Sequence, residues 1–306
     1  MKKKMCIILK DIGIILAKTA DFGKSFTTKK LEKHEKLEIM LIISILTHYM
    51  IENRRKLMYF KELEANSTVK LDKKLPVVVR LDGKSFSSFT KNFKKPFCEV
   101  FYLSMLDTTR LLLKSDVQGI VGAVVASDEI SIFLRSFSDR KGNQSGYFDF
   151  NSQKLASTLA SRVTRIFNMC FRKNVEIFSE NSNDMERIAV LRAAEDTAEF
   201  DCRSFSLNSA NEIYEYLLNR QLDFKRNAIN MAAREEFSHS ELVGVPSAVV
   251  ENSLNRLGKF VEDKYKFGTI FIKSGGEVFE LPSKKVSKLK QKIGIISKEF
   301  EYWGSK

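Results

Sequence analysis

Histidine and cysteine are scarce in this chain of 306 residues, and their scarcity narrows the chemistry. The three histidines are His34, His48 and His239. None sits near a cysteine or a second histidine at ligand spacing, which argues against a transition-metal centre. The four cysteines, Cys6, Cys98, Cys170 and Cys202, show no CxxC pair. They read as reduced, buried thiols of an intracellular protein, not as a disulfide frame. Long apolar runs are also missing. Residues 39–46 are apolar but fall well short of the ~20 that a spanning helix needs, so no membrane segment is expected. Met1-Lys2-Lys3-Lys4 followed by an apolar stretch opens like a secretory signal, but Lys10 and Asp11 interrupt it and no small-residue cleavage site follows. There is no internal repeat and no low-complexity linker. The expected compartment is the cytoplasm, with a mitochondrial site left open for a eukaryotic source.

What the chain has in excess is positive charge. The formal net charge is +13, and a protein this basic often meets a polyanion, since Lys and Arg displace counterions from phosphates. The apolar fraction of 43% is ample for a core. Residues 1–57 are rich in Lys, Ile and Leu and carry no polar motif. They read as an extension, helical over 31–54, that a start at Met58 would remove. Residues 58–207 read as the catalytic core and 208–306 as a helical part completing the nucleotide and RNA site.

Within the core, 75–81 is a β-branched run and therefore a buried strand, ended by Asp82-Gly83. Pro96 suits the first position of a helix reaching Lys114. Residues 120–126 and 130–134 are strands joined by a tight turn at Ser127-Asp128-Glu129. Residues 138–146 form a polar loop, 152–171 a helix and 200–207 a half-exposed strand. Ser209 and Glu212 have the spacing of a capping box. Apolar residues at helical spacing from Val286 to Phe300, beside several lysines, predict a packed amphipathic helix. This order predicts an α+β fold, a ferredoxin-like antiparallel sheet of the polymerase-palm kind with helices on one face and an added helical and β region.

Two acidic motifs close two of the predicted strands: Arg80-Leu81-Asp82-Gly83-Lys84-Ser85-Phe86 and Ser127-Asp128-Glu129-Ile130-Ser131. Singly, each is an ordinary turn. Together they would hold a hard cation against a triphosphate, because magnesium binds through one or two carboxylates plus substrate phosphates. Two such ions can clamp an in-line displacement at phosphorus. Asp82 and Asp128 are the candidate metal ligands, with the Gly83 carbonyl free to approach. Glu129 counts among the catalytic carboxylates, but extended geometry turns it away from Asp128, so it is expected to brace a Lys or Arg. The turn from Gly83 through Lys84, Ser85, Phe86 and Ser87 is a candidate phosphate nest. Arg220, Asp223 and Asn227 share one helix face, as either a surface pair or a contact for RNA or a second nucleotide.

These motifs, with Phe93-Lys94-Lys95-Pro96-Phe97, Phe200-Asp201-Cys202-Arg203, Arg220-Gln221-Leu222-Asp223 and Ser238-His239-Ser240-Glu241-Leu242, resemble the tRNA(His) guanylyltransferase family. The likeness covers roughly residues 59–273 and is closer to its template-dependent 5′-end repair branch. It implies addition of nucleotides to a tRNA 5′ end after ATP or GTP activation. It further implies two Mg2+ ions on Asp82, Gly83 and Asp128, and nucleotide contacts along 82–87 and from Lys95, Ser127 and Asp128. The partners it implies are tRNA and NTPs, in a homotetramer. Enzymes dedicated to tRNA(His) carry His-Ile-Asn-Asn where this chain has Lys225-Arg226-Asn227-Ala228, which favours templated repair or editing. A catalytically silent tRNA-binding relative and a nucleotide cyclase of the palm type are the competing readings.

Overall fold

The computed structural model describes residues 33–138, 142–179 and 184–304, so the signal-like N-terminal stretch and Cys6 lie outside the described residues. The chain divides into two units, Met1–Ser67 and Thr68–Lys306. In the first, α1 (Lys33–Asn66) extends past the expected end at residue 54, because no proline or glycine interrupts it until after Asn66. Among the described residues no helix is long and apolar enough to cross a membrane.

In the second unit, β1 (Val77–Gly83) is followed by short α2 (Phe86–Phe89) and long α3 (Glu99–Lys114). β2 (Ile120–Ala126) and β3 (Glu129–Leu134) form a hairpin. The expected polar loop contains a small ribbon, β4 (Phe137–Ser138) with β5 (Gln144–Ser145). Then come α4 (Ser152–Ser179), α5 (Asp184–Glu195) and β6 (Phe200–Ser206). α6 (Glu212–Ala233), α7 (His239–Leu242), α8 (Ser247–Arg256) and α9 (Asp263–Phe267) lead to the hairpin of β7 (Thr269–Ser274) and β8 (Glu277–Leu281). α10 (Lys290–Gly304) follows.

The sheet runs β6-β1-β3-β2-β7-β8, and each neighbouring pair is antiparallel. Its first four strands, joined through α3 and α4, have the split βαβ arrangement of ferredoxin-like folds, as the element order predicted. The added helical and β region supplies β7 and β8, which extend the sheet from β2. One expectation is corrected: helices cover both faces, not one. Val77, Val79 and Leu81 pack with residues of α3 and α4, whereas Val78 and Phe133 pack with residues of α6 and α10. Strands buried on both faces read as continuous apolar runs, so the run Val77-Val78-Val79 carried no sign of a second helical layer.

Local details differ as well. Pro96 does not open α3, which begins three residues later at Glu99. Ser209 makes no side-chain cap; the Glu212 carboxylate instead accepts from the Asn208 N–H (2.9 Å) and amide group. A capping box does form at Ser238 and Glu241 ahead of α7. The buried hydroxyls of Ser104, Thr108 and Thr109 donate to carbonyls one turn back, which lets α3 pack without orphaned polar groups.

Candidate active site

Strand register assembles the acidic site. Asp82 lies opposite Glu129 on β3 and opposite Asp201 on β6, so three carboxylates stand abreast on the α6 side of the sheet. The Gly83 N–H donates to the Asp128 carbonyl (3.1 Å), which ties the end of β1 to the β2–β3 turn. That turn has two residues, and its first, Ser127, is held at φ 51, a left-handed conformation unusual for a residue with a Cβ. The two candidate metal-binding aspartates are thus brought together from sequence positions 46 residues apart.

Their electrostatics follow from this placement. Burial, then the charge of Asp201, raises the Asp82 carboxyl above the ordinary carboxylate range, while Arg80, Arg203 and Arg220 oppose the shift. Burial, then the charge of Asp82, raises Asp128, against hydrogen bonds from its own backbone and Ser127. The neighbouring acids are neutralised differently. Arg220 grips Glu129 with both forks, Nε to Oε1 at 2.8 Å and Nη2 to Oε2 at 2.5 Å, and donates to Asp223 at 2.7 Å. Arg203 lies 3.7 Å from Asp201. Among the described residues no cation pairs directly with Asp82 or Asp128. Two desolvated carboxylates that repel each other suit a dense divalent cation. No group of three or more His, Cys, Asp or Glu side chains among the described residues could cage a metal, so an ion held by these two aspartates would need backbone, water or substrate oxygens to complete its shell. That is the habit of magnesium.

An aromatic cluster holds the turn after Asp82. The Phe86 ring packs on Phe200 (5.0 Å), Phe89 (5.2 Å), Phe167 (5.5 Å) and Phe101 (5.7 Å). Gly83 is required here because a Cβ would fall 2.3 Å from the Phe86 ring. The predicted nest is only partly available. The Gly83 and Lys84 amides already donate to the Asp128 and Glu199 carbonyls, and the Lys84 ammonium pairs with Glu199 at 2.6 Å. Ser85 is left-handed (φ 56) and leads into α2.

Beside this turn lies a cleft of about 550 Å³. Phe86, Ser87, Lys95, Ser127, Asp128 and Asn227 line it, whereas Asp82, Gly83, Lys84, Ser85, Glu129, Arg220 and Asp223 do not. Lys91, Lys94 and Arg234 add positive charge. The Lys95 ammonium donates to the Thr90 carbonyl (3.0 Å), which sets the side chain along the wall. At the far end Phe97 and Tyr265 stack, with ring centroids 3.9 Å apart and planes within 8°. Glu99 accepts from both Lys264 and the Tyr265 hydroxyl at 2.9 Å, so the stack is braced. Of the polar stripe on α6, Asn227 lines the cleft, Arg220 braces the buried Glu129, and the half-buried Asp223 accepts from Arg220 on its other side. Sequence reasoning missed Asp201 as a neighbour of Asp82 and missed the Phe97–Tyr265 stack. Only strand register and the folding of α9 onto α3 create those contacts.

Known proteins resemble this chain in sequence and fold. The family model described as tRNAHis guanylyltransferase (Thg1) matches residues 57–208, which include both aspartates. An uncharacterized protein, R259, of Acanthamoeba polyphaga mimivirus is 30% identical over 189 residues, covering 60% of this chain and 63% of that protein. The chain therefore matches less than two thirds of that relative's length. A bacterial tRNA(His) guanylyltransferase-like protein solved with ATP superposes with a TM-score of 0.65 at 26% identity, over 78% of this chain and 97% of that one. The bacterial protein solved with GTP gives 0.56 at 25% over the same shares. tRNA(His) guanylyltransferase of Saccharomyces cerevisiae matches in fold, with a TM-score of 0.56 at 20% identity over 74% of this chain and 96% of its own.

Proposed function

The chain belongs to the tRNAHis guanylyltransferase family, and on that premise we propose that it is a magnesium-dependent nucleotidyltransferase adding nucleotides to the 5′ end of tRNA, in the 3′–5′ direction, as templated repair or editing. In the first step an oxygen of the tRNA 5′-phosphate attacks the α-phosphorus of ATP or GTP, and pyrophosphate leaves. In the second the 3′-hydroxyl oxygen of an incoming NTP attacks the activated 5′-phosphorus, loses its proton, and the nucleoside monophosphate leaves. Asp82, the Gly83 carbonyl and Asp128 would hold two magnesium ions, which neutralise phosphate charge and lower the pKa of an attacking hydroxyl.

This chain's own residues supply position and charge. The Ser87 and Ser127 hydroxyls and the Lys95 ammonium, all lining the cleft, bind the triphosphate. The Phe97–Tyr265 stack offers a flat apolar face to a base. Arg220 holds Glu129 in place and so keeps the adjoining Asp128 turn rigid. One observation carries the reading: Asp82 and Asp128 are tied together through Gly83 beside a basic cleft, inside the segment that the family model matches.

Templated addition is favoured over guanosine addition to tRNA(His) by residues 225–228. Lys225 pairs with Glu251 and Arg226 with Asp223, so Asn227 is the side chain in this stretch, besides Ala228, that lines the cleft. The cytoplasm is taken as the place of action and a homotetramer as the assembly, the latter checked by light scattering. The deciding assay supplies a tRNA lacking its first nucleotide, with magnesium, ATP and each NTP in turn. Addition of the base that pairs with the opposing strand is expected; guanosine regardless of that strand would select the tRNA(His) reading. Asp82→Ala and Asp128→Ala should each abolish extension with the fold intact by circular dichroism, and full activity in either would end the proposal.

A further inference from the structure

We propose that the outward face of α4 is a docking track for the sugar-phosphate backbone of the RNA substrate, an inference that rests on the reading of tRNA as substrate. Arg165, Arg172 and Lys173 stand at i, i+7 and i+8 on this helix and are all exposed. With Ser161, Thr164 and Asn168 from the same helix and Thr197 from the segment before β6, they line a shallow depression of about 700 Å³. Glu176, at its far end, is the acidic residue in that lining.

Some cations elsewhere are matched by acids, as in Lys84–Glu199, Arg110–Glu280, Arg162–Asp116, Lys225–Glu251 and Lys259–Glu236. Neither Arg165 nor Lys173 has an ion-pair partner among the described residues. Arg172 donates from Nε to the Ala194 carbonyl (3.1 Å), which anchors the guanidinium without cancelling its charge. Three cations beside the Ser161, Thr164 and Thr197 hydroxyls suit phosphodiester oxygens, which accept from both kinds of group, while the buried Asn168 amide is spent on the Thr164 and Ala198 carbonyls.

The track also leads to the reacting end of the protein. The Thr164 hydroxyl accepts the Phe200 N–H (3.1 Å), and Phe200 is registered against Gly83. Ser161 to Lys173 spans about 18 Å along the helix, the rise of about six base pairs of A-form RNA. An RNA whose 5′ end sits at Asp82 can therefore lay its backbone along α4. The nearby Glu199 does not oppose this, because Lys84 neutralises it.

The test is Arg165→Gln with Lys173→Gln in the full chain, measuring equilibrium tRNA binding by filter retention across a salt series. Both side chains are exposed and unpaired, so the fold should hold. Loss of two phosphate contacts should reduce the slope of log K against log[salt] by about 2, and affinity at about 0.15 M salt by about 30-fold. With saturating tRNA, turnover should match the unaltered protein, the loss appearing in KM. An unchanged salt slope in a protein that does extend tRNA overturns the α4 track alone. An unaltered protein that binds tRNA with the steeper slope yet never extends it strikes the proposed activity and leaves the track standing. Failure of the unaltered protein to bind tRNA overturns both.

Discussion

The Arg220–Glu129 brace offers the sharpest energetic test. Both side chains are nearly dry, at 12% and 9% exposure, and the pair is bidentate. Arg220→Ala leaves the Glu129 carboxylate buried with, among the described residues, only the Ser131 hydroxyl as a partner, at 3.2 Å. Stranding one member of a buried pair costs about 3–5 kcal/mol, whereas an exposed pair is worth about 0–1. Contact of the Arg220 guanidinium with the Phe224 ring, at 5.2 Å, is lost as well. With a urea m value of about 3 kcal/mol/M for a unit of this size, the midpoint should fall by about 1–1.7 M, read by circular dichroism. Arg220→Met combined with Glu129→Leu removes both charges and keeps the volume, so it should cost clearly less than Arg220→Ala. A midpoint for Arg220→Ala within about 0.2 M of the unaltered protein, or a double variant worse than the single one, would show that the brace is not a buried ion pair in solution.

Three further outcomes are expected. Without magnesium, Asp128→Asn should raise the Tm at neutral pH. Burial and Asp82 hold the Asp128 pKa above its unfolded value, so its stabilising contribution is present in acid and lost as pH rises through the folded pKa; a Tm gain that persists unchanged at low pH would refute this. Gly83→Ala should destabilise by about 1–3 kcal/mol in chemical denaturation, since the new methyl meets the Phe86 ring, and a neutral result would place that ring elsewhere. Burial, then the Asp201 charge, pushes the Cys202 thiol up to about 12, so iodoacetamide at about pH 8 should label it at least about a hundredfold more slowly than a free thiol, with rapid labelling in peptide mass spectra as the contrary result.

Much of this was written in local sequence. The β-branched run before Asp82, the apolar stretch before Ser127 and the periodicity from Val286 to Phe300 each specify their own element, because burial selects residue type at a fixed period. The acidic turns were legible for the same reason: a carboxylate cannot continue a buried strand without a partner. Contacts between distant segments were not legible. Nothing near Asp201 announces that it will lie opposite Asp82, and nothing near Tyr265 that it will stack on Phe97. Asp82, Lys84 and Lys95 read alike as site residues, but folding gives Lys84 to Glu199 and sets Lys95 along the cleft.

Composition and pattern alone settled that this chain is basic, builds an α+β sheet and ends two of its strands in carboxylates, since each property depends on residue type at short range. Tertiary structure decided which carboxylate faces which, that Arg220 braces Glu129 from α6, and that Arg165 and Lys173 on α4 have no ion-pair partner among the described residues. The reason is physical: desolvation and Coulomb coupling depend on distance in space, and strand register and helix docking set that distance.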